Sequence, residues 1–390
     1  MLSQKINWKA VEEYLTIGTT MNNATFKEGV DFKLTSAMKY NNTNFKSSVD
    51  AVLQAFENTI LTQCRGKKNI LLELSGGKDS RLIAAILKKY NIDFSAVVYG
   101  DGKCLDVRVA KLVARSLKVP LDSFTNAKEG FTMEAAREII KRNHGLRFFH
   151  NRINQYHYRD YLKQFDLVIN GYTANYLFDS HCCFQYPKYP WFYILESHNA
   201  FIPSCVNSKR VYIEYATENY DLSLEELWVN EINSGVTIDY DVTDSLGINE
   251  APVFDQYLID TTFELPYSQR VGISLTQQMM SKVNKTMWLL PYSSYGGFPL
   301  AVPYSKHMWL YARLPKNLPN WRFVDPSESM RNIKELFSDY IETLPAFVST
   351  LSELGILKKD KALGLLKSSV LFEHRLMNFK IWCDVNEKIY

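Results

Sequence analysis

The sequence predicts an α/β fold in which a doubly wound parallel sheet is followed by a mostly helical C-terminal half. Three observations carry that expectation. An apolar run, Ile70–Leu74, stops at Ser75-Gly76-Gly77, and an amphipathic helix starts at once. Strand, helix, strand, helix and strand then alternate as far as Phe124, the spacing of parallel strands joined by crossover helices. A later buried strand, Asp166–Asn170 (DLVIN), again ends in a glycine, Gly171. Ligands in such Rossmann-like sheets sit at the carboxyl ends of the strands, so the loops after Leu74, Tyr99 and Ile169 are expected to face one crevice.

Taken in order, residues 1–45 read as a short polar start, with Thr35–Lys46 (TSAMKYNNTNFK) as a linker or exposed loop. A helix is expected over Phe45–Gln63, where Val49, Val52, Leu53, Phe56, Ile60 and Leu61 share one face. After strand Ile70–Leu74 come helix Arg81–Tyr90 and strand Phe94–Tyr99, which ends in Gly100-Asp101-Gly102. Helix Asp106–Leu117 turns Val109, Leu112, Val113 and Leu117 inward, and Val119–Phe124 suits a third strand. Helices over Thr132–Asn143 and His150–Gln164 precede the fourth strand. Pro187–Tyr193 (PKYPWFY) and Phe201–Cys205 break the pattern and read as an aromatic insertion. Leu222–Ser234, Phe254–Lys285, Met330–Leu344 and Leu363–Tyr390 read as helices.

With 390 residues, 46% hydrophobic and 22% charged, the chain has enough apolar surface for a full core and for two or three domains. Net charge is +3, the pI is near 8.3 and the lysines are spread along the chain, so charge does not indicate a nucleic-acid surface. The six cysteines (Cys64, Cys104, Cys182, Cys183, Cys205, Cys383) show no C-x-x-C spacing. The adjacent pair Cys182-Cys183 suits neither a shared zinc nor a mutual disulfide, so reduced thiols are expected, and His181 beside them is read as partly buried. Without a signal peptide or an apolar run of membrane-spanning length, the expected location is cytoplasmic, with no membrane partner. Tyr189, Trp191 and Tyr193 suit stacking on a ring or peptide as well as packing.

The chemical signal is Ser75–Ser80, SGGKDS. Two adjacent glycines let the backbone aim its N–H groups into one concavity at the positive end of the new helix. That makes an anion site, whose commonest occupant is a nucleotide phosphate. Ser75 and Ser80 add hydroxyl donors. Asp79 would repel a phosphate unless a divalent cation lies between them. An ordinary βα turn needs neither both serines nor both glycines. This is not a Walker loop either, because Lys78 stands before the aspartate, inside the loop, rather than before a closing Ser or Thr.

The loop resembles the pyrophosphate loop (PP-loop) of the ATP pyrophosphatases. Several segments, in order, resemble one family of that class, the synthetase domain of asparagine synthetase, whose relatives include β-lactam synthetase and the cyclases of lasso-peptide biosynthesis. Leu74–Leu87 (LSGGKDSRLIAAIL) is similar to the family's Leu-Ser-Gly-Gly-x-Asp-Ser-Ser loop and helix. Asp106–Val119 resembles its helix with an acidic start, and Val302–Pro315 (VPYSKHMWLYARLP) the segment that usually reads Pro-Phe-Leu-Asp. The terminal MNFKIWCDVNEKIY, with Trp382, resembles its last helix.

The resemblance implies an adenine nucleotide α-hydrolase-like fold over residues 46–390, with 46–180 as nucleotide-binding core, 181–260 as the aromatic-rich insertion and 261–390 as a helical region. Residues 1–45 would be the end of a lost glutaminase domain, since no cysteine precedes Cys64. The implied ligands are ATP and Mg²⁺. Ser75, Gly76, Gly77 and Ser80 would bind the pyrophosphate part, with Asp79 on the metal. Leu72, Leu74, Val98 and Tyr99 would line the adenosine pocket, and Gly171 would let the chain approach the α-phosphate and acyl group. One departure bears on the metal: the family's Gly-x-Gly-x-Asp-Glu aligns with Gly171–Tyr176, so its second metal carboxylate is Asn175 and the following Glu is Tyr176.

The chemistry so implied is attack of a carboxylate on the α-phosphorus, release of pyrophosphate, and aminolysis of the acyl-adenylate by an amine or ammonia. Lys78 would supply charge to the leaving pyrophosphate. A family lysine near the C-terminus would find its counterpart among Lys358, Lys359 and Lys361, for which a solvated basic turn is the competing reading. Partners would be a small-molecule or peptide carboxylate, the amine, and a separate glutaminase or biosynthetic protein. The alternatives are an ATP-dependent sulfur-transfer enzyme acting on tRNA, against which stands the absence of paired C-x-x-C ligands, and a degenerate nucleotide-binding member without turnover, which Asn175 and Tyr176 favour.

Overall fold

The computed structural model describes residues 6–18, 20–21, 24–31, 38–41, 47–102, 104–124, 127–172, 174–178, 208–270, 272–293, 299–303, 306 and 333–386. At its centre is a five-stranded, all-parallel sheet formed by β1 (Ile70–Glu73), β2 (Ser95–Tyr99), β3 (Leu121–Phe124), β4 (Leu167–Asn170) and β5 (Glu250–Ala251), in the order β3-β2-β1-β4-β5. The chain winds outward from β1 through β2 to β3 and then returns to the other side of β1 for β4. The topological switch point therefore lies between β1 and β4, where Leu72 pairs with Ile169 and Glu73 with Asn170.

Strand alternation sends side chains into two cores. Leu72, Leu74, Val98 and Ile169 join one, with α2 (Val49–Cys64), α3 (Asp79–Lys89) and α4 (Leu105–Leu117) packed on that face. Leu71, Val97 and Val168 join the other, covered by α5 (Met133–Arg142) and by the last helix, Val370–Val385. Both faces are covered, as a parallel sheet requires. The strands and helices expected between residues 45 and 170 form within a few residues of their predicted bounds, with one exception. His150–Gln164 is not one helix but a 3₁₀ turn, Phe149–Arg152, followed by two short helices, Ile153–His157 and Arg159–Leu162.

The chain departs from expectation elsewhere too. The polar start contains a buried helix, Trp8–Ile17, capped by Asn7, whose side chain accepts from the Ala10 N–H. Ala10, Val11, Tyr14 and Leu15 are buried against the last helix, where Arg375 donates to the Leu15 and Thr16 carbonyls and Asn378 to the Tyr14 hydroxyl. Phe26 closes this joint, edge-on to Tyr14, Phe379 and Trp382. The long helix expected over Phe254–Lys285 breaks at Pro266 into Gln256–Phe263, Tyr267–Arg270 and Ser274–Val283. Ser369 ends Lys359–Ser368 and caps the last helix through the Phe372 N–H, so Leu363–Tyr390 is two helices as well. Met330–Leu344 is likewise interrupted: Ser338–Ile341 is a short helix, and a separate one starts at Leu344 with Pro345 in its first turn.

Leu224–Glu231 begins with a capping box between Ser223 and Glu226, as its sequence suggests, and passes through a π-helical turn into Thr237–Ser245. β5 falls inside the stretch expected to be an insertion and extends the sheet beyond β4. The aromatic segments Pro187–Tyr193 and Phe201–Cys205, with His181, Cys182 and Cys183, lie outside the described residues, as does most of Val302–Pro315. Cys64 and Cys383 are buried free thiols. No helix among the described residues is long and apolar enough to cross a membrane.

Candidate active site

At the carboxyl ends of β1, β2 and β4 lies a cavity of about 660 Å³, at the place the topology reserves for a ligand. Leu74, Ser75, Gly77, Asp79 and Ser80 line it from the loop after β1, Val98 and Tyr99 from β2, and Asn170, Gly171 and Tyr172 from the end of β4. The ends of the three strands expected to face one crevice do so, and beyond Tyr99 it is Asp106, in the first turn of α4, that reaches the cavity.

The loop is held in shape by its own side chains. The Ser75 N–H donates to Ser80 Oγ at 3.0 Å, the Gly77 N–H to Ser75 Oγ at 3.1 Å, and the Gly76 N–H to Asp106 Oδ1 at 2.9 Å. Asp106, at the start of α4, also accepts from the Ser293 hydroxyl at 2.9 Å. Burial pushes its carboxyl above the ordinary carboxylate value, against those two hydrogen bonds and the nearby Arg81. A Cβ on Gly76 would lie 2.8 Å from Ser293 Cβ and 2.9 Å from Asp106 Cα, so a side chain there would force the elements apart. At the end of β4, a Cβ on Gly171 would lie 2.7 Å from the Ser80 amide nitrogen and 3.1 Å from Asp79 Cβ. Each glycine is required by close approach of a neighbouring backbone.

Arg81 stands where the pattern Leu-Ser-Gly-Gly-x-Asp-Ser-Ser has its last serine. It is fully buried, and its guanidinium donates to the carbonyls of Gly76, Met287, Leu290 and Pro291. It staples the loop to the chain segment beyond helix Lys285–Leu289. Burial lowers its pKa to about 10, so it stays charged at neutral pH.

Other residues singled out in the sequence fall outside the cavity lining. Lys78 is buried, and its Nζ donates to both carboxylate oxygens of Asp79, at 2.9 and 2.7 Å. Leu72 is packed in the core beneath the cavity, and Gly76 stands behind the loop. Lys358 and Lys361 are exposed at the start of helix Lys359–Ser368. Asn175 and Tyr176 belong to helix Ala174–Phe178, with side chains outside the described part of the structure.

Behind the cavity is a charged network that the sequence did not announce. Arg152 donates to Glu250 at 3.2 and 3.3 Å and lies 3.9 Å from Asp239, which also pairs with Arg147 at 3.3 Å. Arg147 in turn donates to the Tyr172 hydroxyl at 3.0 Å. Asn170 donates to Glu250 and accepts from the Tyr240 hydroxyl and the Tyr172 N–H. Glu73, the last residue of β1, accepts from Tyr99 at 3.0 Å and from Gln155 at 3.1 and 3.2 Å. Its place in the apolar run ILLEL was the one sequence signal, a charge where a parallel strand wants none.

An adenine nucleotide fits this site in two respects: Ser75, Gly77 and Ser80 line the cavity with donors for phosphate, and helix α3 begins at the same wall. No group of three or more His, Cys, Asp or Glu is arranged for a metal among the described residues, so a cation here would rest on Asp79 and on the phosphates it accompanies.

Residues 51–246, about half of the chain, match the model of the asparagine synthase family. The match spans the loop, β1 to β4 and the helices between them. A comparison with curated proteins finds no match.

Proposed function

The chain belongs to the asparagine synthase family, an ATP-dependent amide-forming class, and on that premise we propose the course of its reaction. A substrate carboxylate attacks the α-phosphorus of ATP, pyrophosphate departs, and the acyl-adenylate is aminolysed by an amine or ammonia. The observation that carries this reading is the intact Ser75–Ser80 loop, of which Ser75, Gly77, Asp79 and Ser80 line the cavity with Gly171 packed beside Ser80 and Asp79. Family membership also favours the ligase over sulfur transfer to tRNA.

Each part of the loop then has work to do. The Ser75 and Ser80 hydroxyls, 2.9 Å apart, offer donors to the β- and γ-phosphates, and α3 adds its dipole. Mg²⁺, held by Asp79 and the phosphates, would neutralise charge on the departing pyrophosphate. Lys78 pairs with Asp79 until then, so binding of the metal–nucleotide complex frees its ammonium for the phosphates. Gly171 lets the end of β4 close against α3, which holds the acyl group beside the α-phosphate. Lys358 and Lys361, exposed on the C-terminal helices, serve the aminolysis only if that region closes over the cleft.

The test is pyrophosphate release from ATP and Mg²⁺ over a panel of amino acids, β-amino acids and peptides. Release that depends on one class of carboxylate supports the reading. ATP binding with no release across the panel supports the degenerate alternative instead.

A further inference from the structure

Aminolysis at neutral pH needs a base, because an ammonium has no lone pair for attack. The loop side of the cavity is built of donors for phosphate. The side formed by the end of β1 and by residues 151–155 is different. Glu73 lines it, with Asn151, Arg152, Asn154 and Gln155. Gln155 is more than nine-tenths buried, its Nε2 is committed to Glu73, and its Oε1 has no hydrogen-bond partner. The Asn154 Oδ1 is likewise buried without a partner. A carboxylate and two amide oxygens gathered at one wall call for a ligand rich in N–H donors.

Charge agrees with that reading. Glu73, Glu250 and Asp239 outnumber the guanidiniums of Arg152 and Arg147. Arg152 donates to Glu250 through Nη1 and lies 3.9 Å from Asp239, with its Nε and Nη2 making no hydrogen bond, so that among the described residues Glu73 is hydrogen-bonded to the neutral donors Tyr99 and Gln155 alone.

Resting on the proposed ligase reaction, we infer that this wall receives the nitrogen nucleophile as an ammonium and that the Glu73 carboxylate takes its proton. The freed lone pair forms the C–N bond as the acyl C–O bond to AMP breaks, with that electron pair leaving on the AMP phosphate. The protonated amide nitrogen then gives its second proton to solvent. Burial and the neighbouring charge of Glu250 raise the Glu73 carboxyl to about 7, against the opposing pull of Arg152, Tyr99 and Gln155. That is where a base for this step works best at neutral pH.

The experiment uses the full chain with the carboxylate identified by pyrophosphate release. Glu73→Gln keeps the size of the side chain. It should leave carboxylate-dependent ATP–pyrophosphate exchange near the unaltered rate while amide formation from ammonium falls by about 100-fold or more. Hydroxylamine, largely unprotonated at neutral pH, should restore product formation in the variant. Tyr99→Phe removes a donor to the carboxylate, so it should move the rising limb of the pH–rate profile to higher pH. An equal loss with ammonium and hydroxylamine, a loss of exchange together with a raised KM for ATP, or an unmoved limb in Tyr99→Phe would overturn the assignment. Absence of exchange in the unaltered protein would overturn the ligase reading itself, and this inference with it.

Discussion

Gly171→Ala is the smallest change that probes the site's construction. Its backbone is outside the left-handed region, so alanine meets no conformational strain there and the whole effect comes from space. The added Cβ would lie 2.7 Å from the Ser80 nitrogen and 3.1 Å from Asp79 Cβ, where ordinary contact begins at 3.4 Å. Neither neighbour is a flexible tip: one is backbone of α3 and the other the root of the Asp79 side chain. The end of β4 and the N-terminus of α3 must part by about 0.7 Å, a displacement of the size that costs roughly 100-fold in rate when it misaligns reacting groups. Overpacking adds a stability cost of about 1–3 kcal/mol. The assay is steady-state pyrophosphate release beside a urea unfolding curve. We expect kcat/KM for ATP to fall by about 100-fold while the protein stays folded. An alanine variant with unaltered kinetics would mean that the approach of Gly171 to α3 has no part in holding the nucleotide.

Further outcomes follow from the same geometry. Arg81→Leu strands the carbonyls that the guanidinium satisfies and should destabilise the protein by about 3–5 kcal/mol in chemical denaturation; a loss well under that would show those carbonyls finding other donors. His374 is buried with both ring nitrogens unpartnered, and burial lowers its pKa from 6.5 to about 4, so the unfolded chain binds the proton more readily. The unaltered protein should therefore lose stability relative to His374→Phe as pH falls from 6.5 toward 4, by up to about 1.4 kcal/mol per pH unit, so its urea midpoint drops against the variant's; a constant separation across that window would refute the titration. Asn175→Asp should lower the Mg²⁺ concentration for half-maximal activity by about tenfold if that position faces the phosphates, since an amide brings no charge to the ion; an unchanged requirement would remove it from the metal site.

What was legible in the sequence was what an apolar run ending in glycine can declare. Ile70–Leu74, Phe94–Tyr99 and Asp166–Asn170 announce both their strands and the cleft above them, because a parallel strand is apolar on both faces and its loop needs room. β5 gave no such sign. It is two residues long, and its glutamate is buried by pairing with Arg152 instead of by being apolar. Directly after it, Pro252-Val253-Phe254-Asp255 has the Pro-x-x-Asp form sought at Val302–Pro315, and Asp255 caps the following helix through the Leu258 N–H. Trp8–Ile17 was hidden for the opposite reason, its apolar stripe being diluted by lysine and glutamates. Lys78 could be placed in the loop but not aimed, since its nearest anion is the next residue. The long C-terminal helices were over-joined because hydrophobic periodicity runs on through Pro266, which has no N–H to give, and through Ser369, whose backbone is extended.

The central claim is that a carboxylate is activated at this site by transfer of AMP. It is tested most directly by supplying the carboxylate substrate with ¹⁸O in both oxygens and analysing the products of the complete reaction by mass spectrometry. One labelled oxygen is expected in the phosphate of AMP, with unlabelled pyrophosphate, and both products should be lost in Asp79→Ala. Label in inorganic phosphate, with ADP as the other product, would contradict it.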